Sequence, residues 1–364
     1  MSVGNSAGKA LLQSSARITE WTGRRGFMFA TGAALLASAQ NLRAGHHVVS
    51  AEPLIVESDL WPLAGRYTRL EDFYIRNHFQ TPESIATGSL AIEGEVDRPG
   101  QFTPDSFQRI PSRELGAVLE CAGGRLGATA LASDGVWRGW GLRDIIALAA
   151  PRPRGTYLQL FGRDGFCRSV PIERAMKEAL LATSLNGRPL GRNHGAPWRV
   201  LFPGQYGMDS VKWLERVVVA NAAMPAVDAS YLQITKQPAG GLQAQPLPRV
   251  QVKSIITVPA DGAVLQRGTV EVDGLAWSGS GKVSNVQVSA DGGSSWQSAT
   301  VDSAGGSYDW TLWRISFPLD RPGVINLASK ATDDSGNTQP ATRDPRRADL
   351  YAYNVCHRIR CVVL

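Results

Sequence analysis

From Val250 to the C-terminus the chain carries short alternating runs of polar and apolar residues, each followed by a turn signal, and no helical segment. Val283-Ser284-Asn285-Val286-Gln287-Val288-Ser289 runs into Asp291-Gly292-Gly293 and Trp296, and Trp310 to Ile315 and Gly323 to Ser329 follow in the same texture. Side chains along a strand point to opposite faces in turn, so each run presents one apolar face that needs a partner sheet. Closely spaced strands without helices lead to an immunoglobulin-like β-sandwich over 250–364.

The rest of the chain reads differently. Residues 225–249 are a linker rich in Pro, Gly and Gln. The span 70–224 mixes β-rich segments, Ser89 to Val96 and Tyr157 to Phe161, with helix-like apolar spacing at Gly141–Ala149 and Ile172–Leu185. The second of these opens after Pro171 and stops before the turn pair Asn186-Gly187. The expected class is α+β, and a doubly wound nucleotide fold is not indicated because no glycine-rich phosphate loop follows a strand. Two domains suit a length of 364 residues. Residues 40–69 have no clear period and are expected to form an extended N-terminal arm.

Residues 1–39 have the pattern of a twin-arginine signal peptide: Arg24-Arg25 with Phe27, an apolar run from Phe29 to Leu36, and Ala37-Ser38-Ala39 as a small-residue cleavage site. The run is too short to span a bilayer; an amphipathic surface helix is the alternative. The expectation is a periplasmic protein exported already folded, which suits an enzyme that acquires a cofactor before export. The net charge of +6 is scattered, with no basic stripe interleaved with aromatics, so nucleic-acid binding is not expected. Cys356 and Cys361 are an odd number of residues apart in a strand-like segment and so point to opposite faces; no disulfides are expected.

Three segments carry the chemistry. Leu119-Glu120-Cys121-Ala122-Gly123-Gly124-Arg125 places a thiol among small residues, which suits a sulfur ligand that a bulky cofactor must approach. Arg76-Asn77-His78 lies upstream. Downstream come His194-Gly195-Ala196-Pro197-Trp198-Arg199, Pro203-Gly204 and Ser210-Val211-Lys212-Trp213-Leu214. In sequence and in order these resemble the sulfite oxidase family of molybdopterin enzymes, and Val288–Trp296 and Ala331–Pro340 resemble that family's dimerisation domain.

The resemblance implies a molybdenum held by molybdopterin and by Cys121, a soft thiolate ligand. It implies that Arg76, His78, His194, Arg199 and Lys212, with backbone amides near Ser210, anchor the cofactor's phosphate and polar edges. Asp164 is a candidate contact to the pterin. Arg76, Arg358 and Tyr231 are the candidates for the substrate pocket, and Trp137 either packs beside it or belongs to the core. The reaction implied is oxidation of sulfite to sulfate by oxygen-atom transfer, in a homodimer. With no Cys-x-x-Cys-His motif, no haem is expected in this chain, and electrons are expected to pass to a separate c-type cytochrome.

The chain also departs from the family pattern. Gly124 stands where Asn is usual, and Leu126 stands where a second Arg contacts the sulfite oxyanion. One lost charge-assisted contact costs roughly 1.5–3 kcal/mol, about one to two powers of ten in affinity. This keeps open a related molybdoenzyme acting on another sulfur compound, such as a sulfane dehydrogenase, or one reducing sulfoxides or N-oxides. An exported binding protein would account for 250–364 but not for Cys121 together with His194 and Lys212.

Overall fold

Residues 47–60, 66–84, 88–124, 127, 129–225, 229–302 and 304–364 are described by a computed structural model of the chain. The expected signal peptide, Arg125 and Leu126 lie outside these residues.

The N-terminal half is built on three sheets. The first pairs β1 (His47–Ser50), β2 (Ile55–Asp59) and β3 (Ile75–Arg76), with β7 (Thr129–Ala130) also on β2. The stretch read as an extended arm therefore contains strands, and β2 pairs Ile55 with Arg76. The second sheet runs in the order β10 (Cys167–Pro171), β9 (Tyr157–Gly162), β14 (Leu214–Ala220), β4 (Leu90–Gly94), β5 (Gly100–Phe102). In the third, β12 (Arg188–Pro189), β11 (Leu180–Leu185), β8 (Ala132–Gly141) and β6 (Ser112–Glu120) lie side by side, and β13 (Arg199–Leu201) also pairs with β11.

Helix is scarce, so the α+β expectation is met by a mostly β structure with few helices. Among the described residues the α-helices are α1 (Leu142–Leu148), at the predicted place, and α2 (Ile172–Ala175). The helix predicted over 172–185 ends after one turn, and Leu180–Leu185 forms β11 instead. The reason is burial on both sides. Leu181 enters one core cluster with Leu160 and Val200, while Leu180 and Ala182 enter another with Phe73 and Trp137. A strand covered on both faces is apolar throughout, and periodicity does not separate it from a buried helix.

The linker region folds back as a hairpin of β15 (Leu232–Lys236) and β16 (Leu242–Pro246). The C-terminal half holds two more sheets. One is ordered β17 (Lys253–Val258), β19 (Gly268–Trp277), β23 (Thr311–Leu319), β22 (Thr300–Val301). The other is ordered β18 (Val264–Leu265), β25 (His357–Val363), β24 (Gly323–Asp333), β20 (Val283–Ser289), β21 (Gln297–Ser298). They enclose a shared apolar core that includes Val272, Val286, Trp313, Leu327 and Cys361. A separate cluster of Val118, Tyr206, Ile255, Trp277 and Trp310 joins the two halves. All four cysteines are free thiols. Among the described residues no helix is long and apolar enough to cross a membrane.

Candidate active site

Strand alternation decides what β6 presents to each side. Ala117 and Leu119 pack into the cluster with Phe73, Tyr74 and Trp137, whereas Val118 points to the junction with the C-terminal half. Cys121 follows the strand on the Leu119 side and packs partly into that same cluster. Its N–H donates to the Leu131 carbonyl at 2.9 Å, and its own carbonyl accepts from Gly124 N–H at 3.0 Å. This tight turn leaves the thiol at the wall of a cavity, with Ala122, Gly123 and Gly124 following. Burial pushes the Cys121 thiol up; the nearby Gly123 N–H and the Arg76 guanidinium oppose it.

Across the cavity stand three cations among the described residues. Arg76 comes from β3, Arg199 from β13, and Lys212 from the loop before β14. Arg199 is 5 % exposed. Its Nη2 donates to Ser210 O at 2.6 Å and its guanidinium lies 5.5 Å from the Trp137 ring, but Nε has no partner. Burial pushes Arg199 down to about 10. Lys212 Nζ donates to Asn77 Oδ1 and to Asn193 O, and sits 4.5 Å from the Trp213 ring centre. Burial, with Arg199 and Arg76 as repelling neighbours, holds Lys212 well below the usual lysine range, and Asp164 only partly offsets this.

Gly195 makes this arrangement possible. At φ 102° it terminates the 3-10 turn Arg192–His194, and a Cβ there would come within 3.1 Å of the Cβ atoms of both Arg199 and Lys212. A side chain would therefore be strained and would wedge the two cations apart. His194 is held edge-on to Phe73 at 5.8 Å. Asp164 closes the β9–β10 turn by accepting from Phe166 N–H at 3.1 Å, and burial pushes its carboxyl up.

The remaining wall is aromatic. Tyr231 OH and His78 Nδ1 are 3.3 Å apart, and the His78 ring lies 5.2 Å from Phe166. Burial, then the Cys121 sulfur, pushes the Tyr231 hydroxyl up to about 12, while burial and Arg76 push His78 down. At neutral pH Tyr231 therefore keeps its proton, with His78 Nδ1 within hydrogen-bond reach of its hydroxyl.

Thus Arg76, His78, Cys121, Asp164, His194, Arg199, Ser210, Lys212 and Tyr231 line one cavity. Arg358 does not. On β25 the odd-numbered residues from Ile359 to Val363 point inward, so Arg358 is exposed and binds the carbonyls of Ala341 and Cys356. Ser210 contributes its carbonyl to Arg199, while its hydroxyl accepts from Phe202 N–H and its N–H donates to Gly207 O. Trp137 is a core residue in contact with Arg199. Sequence reading passed over Tyr74, Phe166, Asn193 and Met208, which also line the cavity, and Asn77, which anchors Lys212. Tyr74 was accessible to a period-two argument, two positions before Arg76; Asn193 sits in the short 3-10 turn and Met208 in a loop, and neither leaves such a signal.

Two family sequence models match the chain, an oxidoreductase molybdopterin binding domain over residues 78–227 and a Mo-co oxidoreductase dimerisation domain over residues 245–362. The chain is 33% identical to sulfite oxidase of Gallus gallus, over 83% of this chain and 74% of that protein. It is 33% identical to the mitochondrial sulfite oxidase of Homo sapiens over 75% of this chain, and spans 57% of that protein's length. Among solved structures, the sulfane dehydrogenase SoxCD from Paracoccus pantotrophus superposes with a TM-score of 0.79 at 26% identity, covering 94% of this chain and 95% of that one.

Proposed function

The chain belongs to the sulfite oxidase family of molybdopterin oxidoreductases, and on that premise we propose that it oxidises a small sulfur oxyanion, sulfite foremost, to its oxygenated product. The observation that carries this reading is the convergence of the Cys121 thiol and three cations on one cavity. A molybdopterin group fits these residues. Arg199 keeps a buried Nε without a partner, and Lys212 is held against its own charge, so the cavity favours an anionic phosphate. Cys121 and the small Ala122 both line the cavity.

Cys121 would ligate the molybdenum, and Arg199 and Lys212 would neutralise the phosphate. When bound, the cofactor supplies two-electron oxidation with an oxygen atom drawn from water: sulfite and water give sulfate, two protons and two electrons. The protein's part is to hold, orient and neutralise. Arg76 draws the anion in, and Tyr231, which keeps its proton and lies 3.3 Å from His78 Nδ1, places its hydroxyl at the aromatic wall. The electrons pass singly to a partner, for which we propose a c-type cytochrome in the periplasm, reached by twin-arginine export.

A sulfane-sulfur substrate is the second reading. Leu126, standing where the family pattern has a second Arg, favours it, and Arg358 adds no cation to the described lining residues. Metal analysis, followed by cytochrome c reduction with sulfite and with thiosulfate-derived sulfane compounds, separates the two. A high-millimolar saturation constant for sulfite alone would shift the assignment.

For assembly we propose a homodimer through the C-terminal sheets, read as an immunoglobulin-like dimerisation domain. Val264, Val362 and Val324 are direct cross-strand neighbours and are 62%, 38% and 49% exposed, an apolar row suited to a second copy. Sedimentation as a monomer at micromolar concentration would contradict it.

A further inference from the structure

We propose that Lys253 is a positioning residue for Cys121 that acts through Glu120; the proposal rests on the molybdenum reading above. Glu120 is the last residue of β6 and is bonded directly to Cys121 in the chain. Its carboxylate points away from the cavity and is 3 % exposed. Oε1 accepts from Lys253 Nζ at 2.5 Å, and Oε2 accepts from Trp277 Nε1 at 2.8 Å. Lys253, the first residue of β17, is fully buried and also donates to Tyr353 O at 3.2 Å. On the other side, the Glu120 carbonyl accepts from Gly207 N–H at 2.7 Å, and Gly207 lines the cavity.

Glu120 is therefore clamped by donors from two elements of the C-terminal half and by one from the cavity loop. A residue held through side chain and carbonyl fixes the plane of the next peptide, which carries the Cys121 sulfur. The pair is also a local charge source. The Glu120 carboxyl beside the ligand, bonded to Lys253 Nζ at 2.5 Å, sets the field at the sulfur in a medium where few waters screen it. A core built only for packing would place apolar side chains here.

The test uses the full-length protein purified with its cofactor, in three forms: Glu120→Gln, Lys253→Met and the double variant. Molybdenum per chain, the midpoint potential of the molybdenum couple followed by electron paramagnetic resonance, and kcat and KM for sulfite are compared with wild type. Glu120→Gln, which removes a negative charge, is expected to raise the potential. Lys253→Met, which strands the carboxylate, is expected to lower the potential and the retained metal, with kcat down about 10- to 100-fold and KM little changed. The double variant is expected to fall between the two single variants in potential.

Should Lys253→Met fail to fold, Glu120→Gln decides alone, because Gln keeps the size and an acceptor for Lys253. Wild-type potential, metal content and kcat in Glu120→Gln, whatever its melting temperature, would overturn the proposal and leave the pair a packing device. Absence of molybdenum from the wild-type protein would instead remove the functional reading and this proposal with it.

Discussion

Cys121 and Glu120 are neighbours in sequence, yet the charges around them follow opposite rules. On the Glu120 side a single carboxylate meets a single ammonium, with Trp277 and the Tyr353 carbonyl satisfying the remaining groups. On the Cys121 side Arg76, Arg199 and Lys212 face a cavity in which Asp164 is the one carboxylate among the described lining residues. A closed, balanced pair is satisfied within the protein and can hold its neighbour Cys121 in place without a ligand. An unbalanced cluster of buried and half-buried cations is unfavourable until an anion arrives, which marks it as a binding site. One strand thus separates a charge pair closed within the protein from a cluster of cations open to a ligand.

The strongest way to break this contrast is to remove the sulfur. Cys121→Ser is expected to lower sulfite turnover by at least about a hundredfold, because the change takes away a metal ligand itself and not merely its outer support. Turnover and molybdenum content measured on the same preparation check it, and activity near wild type would remove the ligand assignment. Next in size is Arg76→Met. One charge-assisted contact to the anion is lost, about 1.5–3 kcal/mol, so KM for the sulfur oxyanion should rise roughly 10- to 100-fold. A change confined to kcat would place Arg76 at the cofactor and not at the substrate.

Lys212 sharpens the comparison through pH. Its folded proton affinity lies below the ordinary lysine value, so the unfolded chain binds the proton more tightly. Stability of the cofactor-free protein must then rise with pH. The penalty is complete below the folded value and vanishes as pH climbs from there to the usual lysine range. Lys212→Met should flatten that rise in melting temperature, and cofactor binding should flatten it too by supplying the missing anion. Lys253, already paired, offers no such gain from an added anion.

How much of this was readable from residues follows from the same geometry. Cys121, Arg76, His78 and the run from His194 to Lys212 occur as compact motifs, and the strand ends and loops that bear them converge on one cavity. Strands with one exposed face, such as Val283–Ser289, announced themselves by alternation. Leu180–Leu185 did not, because burial on both faces erases the period. Nor did the Glu120–Lys253 pair, whose members are 133 residues apart in the chain and come from strands that meet only in the folded protein.

Arg358 carries the smallest expected effect and tests the reading of strand β25. It was a substrate candidate because it sits in a cationic closing segment, His357-Arg358-Ile359-Arg360. Local pattern gives the face but not what that face meets. Here the inward face holds Ile359 and Cys361, and Arg358 turns outward to the carbonyls of Ala341 and Cys356. Exposed substitutions away from special features usually stay within about 0.5 kcal/mol, so Arg358→Ala should leave KM for sulfite within about twofold and the melting temperature nearly unchanged. A rise in KM matching that of Arg76→Met would mean that this arginine reaches the anion in the working enzyme, and the division between a charged cavity and an uninvolved C-terminal sheet would have to be redrawn.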